Sequence, residues 1–263
     1  MDESQLQDLV ETVATETIRK FHPTYWLEDH ISVDLVYNIT KQLQGLRYSS
    51  ASGSSQIELQ AYKARGAKVE HIHGDIAVLV SLAWADGSKL EGAGFYEAKK
   101  RDAEKDTYSA LDYKQLATYL SKTPHLSTLL YDYDLIKSFV HWPYGGSWCS
   151  LCAMFHTLEC GSPQTHMLSI PADIVVARKN NSTLLYKHGI PFSYQFVVRH
   201  LNGFDLERDS TIIQRVKGYG EEIVAPKIIL VASKGIEVEP PPLPEVNHDI
   251  YEPLSDGDLP RRE

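Results

Sequence analysis

Apolar residues recur at helical spacing in two stretches near the start of the chain. Leu6, Leu9, Val10, Val13, Thr17, Ile18 and Phe21 line one face over residues 5–21, and His22-Pro23 ends that run. Leu35, Val36, Ile39, Leu43 and Leu46 repeat the pattern over 33–46. Small polar residues between Ser50 and Ser55 read as a loop, with Ser55 as a cap for a short helix through Tyr62 that Gly66 closes. The first 54 residues are therefore expected to form a helical region that leads into a sheet.

The period changes after Asp75. Ile76–Leu82 is almost continuously apolar, as in a strand covered on both faces. Asp86-Gly87 favours a reversal through a connection longer than a two-residue hairpin, and Gly94–Lys99 reads as the returning strand. An amphipathic helix is expected over 109–121, with Leu111, Leu116, Tyr119 and Leu120 inward, then a strand at Thr128–Tyr133. A helix that links two strands is the ordinary α/β connection. Ala172–Ala177 reads as a further strand, 191–201 as a helix and Pro226–Ala232 as a last strand. The fold class expected is α/β, with a mixed central sheet flanked by helices over 55–236. A loop-rich insertion is expected around 141–166. The Pro-rich, acidic residues 237–263 form a C-terminal extension whose composition cannot bury enough surface to fold alone.

Charge modifies this picture in one respect. The formal net charge is −9, but residues 237–263 hold eight of the 35 acids and two of the 26 bases. The remaining body, 27 acids against 24 bases, is close to neutral. Such a body accommodates a local basic groove and is no strong non-specific polyanion binder. No apolar run approaches the length of a membrane span, so no membrane partner is expected. Three cysteines argue against a disulfide framework and, with an N-terminus unlike a secretory signal, point to the cytoplasm.

The candidate chemistry lies between Glu70 and Tyr119. Glu97 and Lys99 are two apart on an expected strand, so both side chains share a face. Should the Asp75 strand pair antiparallel beside it, Asp75 approaches Glu97. Two carboxylates and the carbonyl of Ala98 make an oxygen-only set suited to Mg²⁺ or Mn²⁺. Lys99 adds a positive charge beside that set.

Asp75 followed after a turn by Glu97-Ala98-Lys99 resembles the PD-(D/E)XK, or restriction endonuclease-like, nuclease superfamily. Gln115 and Tyr119 resemble the Q-x-x-x-Y motif of its RecB-like members. Glu70, ahead of Gly74-Asp75, is similar to the leading acid of defence-associated members, and Glu58 rivals it for that role. Gly74 stands where the motif has proline. The resemblance covers roughly residues 55–135. It implies a restriction endonuclease-like core in which Asp75, Glu97, Ala98 and Glu70 hold metal, Lys99 assists the water, and Gln115 and Tyr119 support the site. The implied activity is metal-dependent endonucleolytic hydrolysis of DNA by a prokaryotic anti-phage defence or restriction effector. A partner protein or homo-oligomer would supply grip on the DNA. A nuclease-fold interaction subunit without catalysis and an RNA-cleaving nuclease are the alternatives.

A second constellation, Cys149, Cys152, His156 and Cys160, has spacing that permits one tetrahedral Zn²⁺. The alternative is a set of thiols buried as small hydrophobes. Lys63-Ala-Arg65 and Lys99-Lys-Arg101 flank the first constellation and are candidate phosphate contacts, or else solvated faces. His73 is either a phosphate donor or a structural residue.

Overall fold

The computed structural model describes residues 1–50, 52–66, 73–139, 164–220 and 225–260. Among these residues, two N-terminal helices, α1 (Glu3–Phe21) and α2 (Glu28–Leu43), precede nine strands: β1 (Arg47–Ser50), β2 (Gly53–Ala64), β3 (Ile76–Trp84), β4 (Lys89–Lys100), β5 (Leu126–Ile136), β6 (Thr165–Pro171), β7 (Ile190–Pro191), β8 (Ile228–Ile236) and β9 (Tyr251–Pro253). Helix α3 (Tyr113–Leu120) links β4 to β5, α4 (Ala172–Arg178) follows β6, an irregular helical segment α5 covers 192–202, and α6 (Ser210–Val216) precedes β8. The strands form one mixed sheet in the order β1-β2-β8-β3-β4-β5-β6-β7, with β9 on β2. The pairs β3–β8 and β4–β5 are parallel and the others antiparallel. This is the α/β architecture expected from the sequence.

Helices α1 and α2 cover one face of the sheet. They bury Leu6, Val10, Ile18, Ile31, Leu35 and Ile39 against Val78, Val80, Tyr96, Ala98 and Leu230. The opposite face buries Ala77, Leu79, Phe95, Leu130 and Ile229 under Leu116 and Tyr119 of α3 and Val175 of α4. Successive residues of β3 thus enter different cores, which explains its unbroken apolar run. Asp112 caps α3 through the N–H groups of Lys114 and Gln115 at 2.8 and 3.2 Å.

Three local expectations are corrected. Residues 55–62 belong to strand β2 and not to a capped helix. Ile57, Leu59 and Ala61 are buried in alternation with half-buried Gln56, Glu58 and Gln60, a period of two that outweighs the cap signal at Ser55. Residues 172–177 are helix α4, because the place beside β5 is already taken by 165–171. The acidic extension is folded up to residue 260. β9 pairs with Tyr62–Ala64, Tyr251 and Val246 are buried, and the Tyr251 hydroxyl donates to the Val216 carbonyl at 2.7 Å. A few apolar residues dock this segment on a core formed elsewhere, which composition alone does not reveal. The insertion expected around 141–166 falls mostly on 140–163, outside the described residues, while Thr165 and His166 lie in β6.

Candidate active site

Asp75 directly precedes β3. The β3–β4 register pairs Ile76 with Tyr96, which sets Asp75 across from Glu97. The Asp75 N–H donates to the Tyr96 carbonyl at 2.8 Å, and the Ala98 N–H donates to Asp75 Oδ2 at 3.0 Å. The Ala98 carbonyl is on the same side of its strand as its N–H and therefore faces the same space. Lys99, two positions past Glu97, stands on the same face, and its Nζ lies 2.6 Å from Glu97 Oε1. All three side chains are buried, at 6%, 3% and 6% exposure for Asp75, Glu97 and Lys99. Charged groups are rarely buried this deeply unless they are paired or functional.

Gly74 makes the approach possible. Its φ is +82°, and a Cβ there would sit 2.6 Å from the Tyr96 carbonyl oxygen. The residue that departs from the "PD" pattern is therefore one that this backbone path requires.

Two groups join the site that the pattern of the sequence did not single out. Glu28, in the first turn of α2, lies 3.4 Å from Lys99 Nζ and accepts the Lys100 N–H at 3.3 Å. Lys227, just ahead of β8, lies 2.9 Å from Asp75 Oδ1 and 2.9 Å from Asp29 Oδ1. An acid at a helix N-terminus is an ordinary dipole pattern, so Glu28 carried no separate signal. Lys227 is brought in by the parallel pairing of β8 with β3, where the Ile228 N–H donates to the Asp75 carbonyl at 3.1 Å.

The electrostatics follow from this crowding. Burial, the Asp75 charge and, more weakly, Glu28 push the Glu97 carboxyl up to about 7, although Lys99 works the other way. Burial also raises Glu28, against the pull of Lys99. Burial opposes the charge on Lys99, but Glu97 and Glu28 more than offset it and raise the ammonium above its usual range.

Helix α3 closes the site from the same face. Gln115 Nε2 donates to the Tyr119 hydroxyl at 2.6 Å. Burial raises the Tyr119 phenol, and the negative charges of Glu97 and Asp75 add to the effect against the Gln115 hydrogen bond. The Q-x-x-x-Y pair is thus one hydrogen-bonded unit beside the carboxylates. Thr128, which pairs in register with Glu97 on β5, has a buried hydroxyl with no hydrogen-bond partner among the described residues.

Other candidates lie elsewhere. Glu58 accepts hydrogen bonds from Gln44 and Gln56 at 2.5 and 3.1 Å, on the stretch of β2 that faces Ser233, well along the sheet from Asp75. It does not complete the site. Glu70 and the set Cys149, Cys152, His156 and Cys160 fall outside the described residues. His73 is fully buried, its Nδ1 is 2.5 Å from Thr123 Oγ1, and burial pushes it down to about 4. The flanking basic clusters are largely neutralised. Arg101 pairs with Asp106, Asp132 and Asp134, Lys63 with Glu252 and Asp258, and Arg65 with Glu252.

Among the described residues, no three His, Cys, Asp or Glu side chains form a cluster that would hold a metal ion by side chains alone. The residues do fit a hard divalent cation in another way. Mg²⁺ takes one or two carboxylates and completes its shell with other oxygens. Asp75, Glu97 and the Ala98 carbonyl face one space, and Thr128 leaves an unanswered hydroxyl beside it. Asp75, Glu97, Glu28 and Asp29, when ionised, outnumber Lys99 and Lys227 by the charge of one divalent ion.

No protein-family model, curated protein or solved structure matches the chain. Among the described residues, no helix is long and apolar enough to cross a membrane.

Proposed function

We propose that this chain is a metal-dependent endonuclease that hydrolyses phosphodiester bonds in DNA. The reading rests above all on Asp75 and Glu97 facing each other across β3 and β4, with Lys99 buried on the same face. The hydrogen-bonded Gln115–Tyr119 pair behind them supports it, as does the resemblance of these five positions to the PD-(D/E)XK superfamily.

Asp75, Glu97 and the Ala98 carbonyl would hold Mg²⁺ or Mn²⁺, with Glu28 in the place expected of Glu70 or Glu58. A bound cation supplies Lewis acidity, which acidifies water and offsets phosphate charge. Asp75 is held for this task by the Ala98 N–H, and Glu97 by Lys99. Glu28 holds Lys99 from the opposite side. Lys99 thereby keeps a fixed positive charge where negative charge builds on the phosphorane oxygens, and such preorganisation is worth more in a buried site than in water. Gln115 and Tyr119 keep the helix wall in place. With Arg101, Lys63 and Arg65 already in ion pairs, a partner protein or second copy would supply much of the grip on the DNA backbone. The defence setting follows from the resemblance.

The test is incubation of the full chain with plasmid DNA, linear DNA and structured RNA, each with Mg²⁺, with Mn²⁺ and with chelator. Cleavage of DNA that needs the cation is the expected result. Cleavage of RNA alone would move the substrate class, and no cleavage of any polymer with its cellular partners present would favour a non-catalytic interaction subunit.

A further inference from the structure

Lys227 occupies a position that the motif does not describe. Its Nζ bridges Asp75 Oδ1 and Asp29 Oδ1 at 2.9 Å each. The other Asp75 oxygen is already committed to the Ala98 N–H. The ammonium therefore sits on the one carboxylate oxygen of Asp75 that is left for a cation. It is also the least enclosed charge at Asp75, with 35% of its side chain exposed against 8% for Lys99, so it has room to swing away.

We propose that Lys227 is a cation placeholder, an ammonium that holds Asp75 until a divalent ion displaces it, and so sets how tightly the site takes metal. The inference rests on the metal-dependent reading of the site. Without such a placeholder Asp75, Glu97 and Glu28 would face one another with only Lys99 between them, and like charges in so small a space repel strongly. Lys227 offsets that repulsion in the metal-free protein. Asp29, on the first turn of α2, marks where the lysine stays tethered once Asp75 is taken.

This role gives an effect of unusual sign. Removing a lysine that holds Asp75 in its ligating position weakens metal affinity. Removing a placeholder takes away both a competitor and a positive charge, and affinity rises. Mn²⁺ binding to the full chain is measured by titration calorimetry at pH 8, with circular dichroism to check the fold. Lys227→Met and Lys227→Gln should each tighten Mn²⁺ on the order of tenfold or more, given the size of a charge–charge interaction at this distance. Lys227→Arg, which keeps the charge, should stay near wild type, and adding Asp75→Asn to Lys227→Met should cancel the gain. Unchanged or weaker Mn²⁺ binding by folded Lys227→Met and Lys227→Gln overturns the placeholder and leaves the nuclease reading standing. Failure of the wild type and both variants to bind Mn²⁺ at all overturns both.

Discussion

The Ala98 N–H donates to Asp75 Oδ2 at 3.0 Å, so the strand that carries Glu97 and Lys99 also fixes the carboxylate opposite them. Asp75 is thus held from two sides, by Ala98 and by Lys227, while Glu97 is held by Lys99 and pressed by Asp75. The two carboxylates have opposite energetic characters, and replacing each has a different consequence.

Asp75→Ala leaves the buried Ala98 N–H without its acceptor and Lys227 with Asp29 alone, and should lower the unfolding free energy by about 1–3 kcal/mol. Asp75→Asn keeps an oxygen for Ala98 and should cost less. Urea unfolding of metal-free protein at pH 8 measures both. Equal stability of Asp75→Ala and wild type would contradict the pairing.

Glu97 gives a pH dependence. Its carboxyl is raised to about 7 in the folded chain from 4.5, so the folded state keeps a proton that the unfolded state releases between those values. Its contribution is therefore fully present below about 4.5 and is lost as pH rises through 7. Glu97→Gln should remove that slope and gain ~2–3 kcal/mol relative to the wild type at pH 8 in the absence of metal. Cation affinity should correspondingly rise from pH 6 to 8, with proton release on binding. A Mn²⁺ affinity that is flat over that range would contradict the shift.

Lys99→Ala should still bind the cation, without weakening, and lower the cleavage rate on the order of 10²–10³, the scale of losing one preorganised charge-stabilising group. Gln115→Ala should be milder, because it removes only the hydrogen bond to Tyr119. Single-turnover cleavage beside Mn²⁺ titration separates the effects.

Strands β3, β4, β5 and β8 are legible as apolar runs, and the grouping of Glu97 with Lys99 is legible because residues two apart on a strand share a face. Asp75, Glu97 and Lys99 fall on one face by strand geometry, and the antiparallel turn around Asp86-Gly87 brings the strands together. Glu28 and Lys227 were not legible, since each reaches the site through pairing between distant segments: α2 against the end of β4, and β8 between β2 and β3. Glu58, near Asp75 in sequence, lies well along the sheet from it, whereas Glu28, distant in sequence, reaches Lys99 through space. The C-terminal segment departs from its composition for a related reason. Its composition is that of a disordered tail, but Val246 and Tyr251 fit a core already made by other elements.

That packing changes what truncation should do. Ending the chain after Ile236 removes β9 and the buried Tyr251, so the truncated protein should lose cooperative stability rather than gain affinity for DNA. Tyr251→Ala alone should cost about 3–5 kcal/mol, the range for a large buried aromatic. Thermal unfolding of both variants is the check. A truncated chain as stable as the full one would contradict the docking of this segment.

On the proposed function, Asp75 and Glu97 form one cation-dependent hydrolytic site. The most direct test is DNA cleavage by wild type, Asp75→Asn and Glu97→Gln, assayed side by side in Mg²⁺ and Mn²⁺ with any required partner present. Both variants should stay folded and lose cleavage by at least the loss seen for Lys99→Ala, and chelator should reduce the wild type to the same level. Cleavage by folded Asp75→Asn or Glu97→Gln at the wild-type rate would place the chemistry elsewhere in the chain.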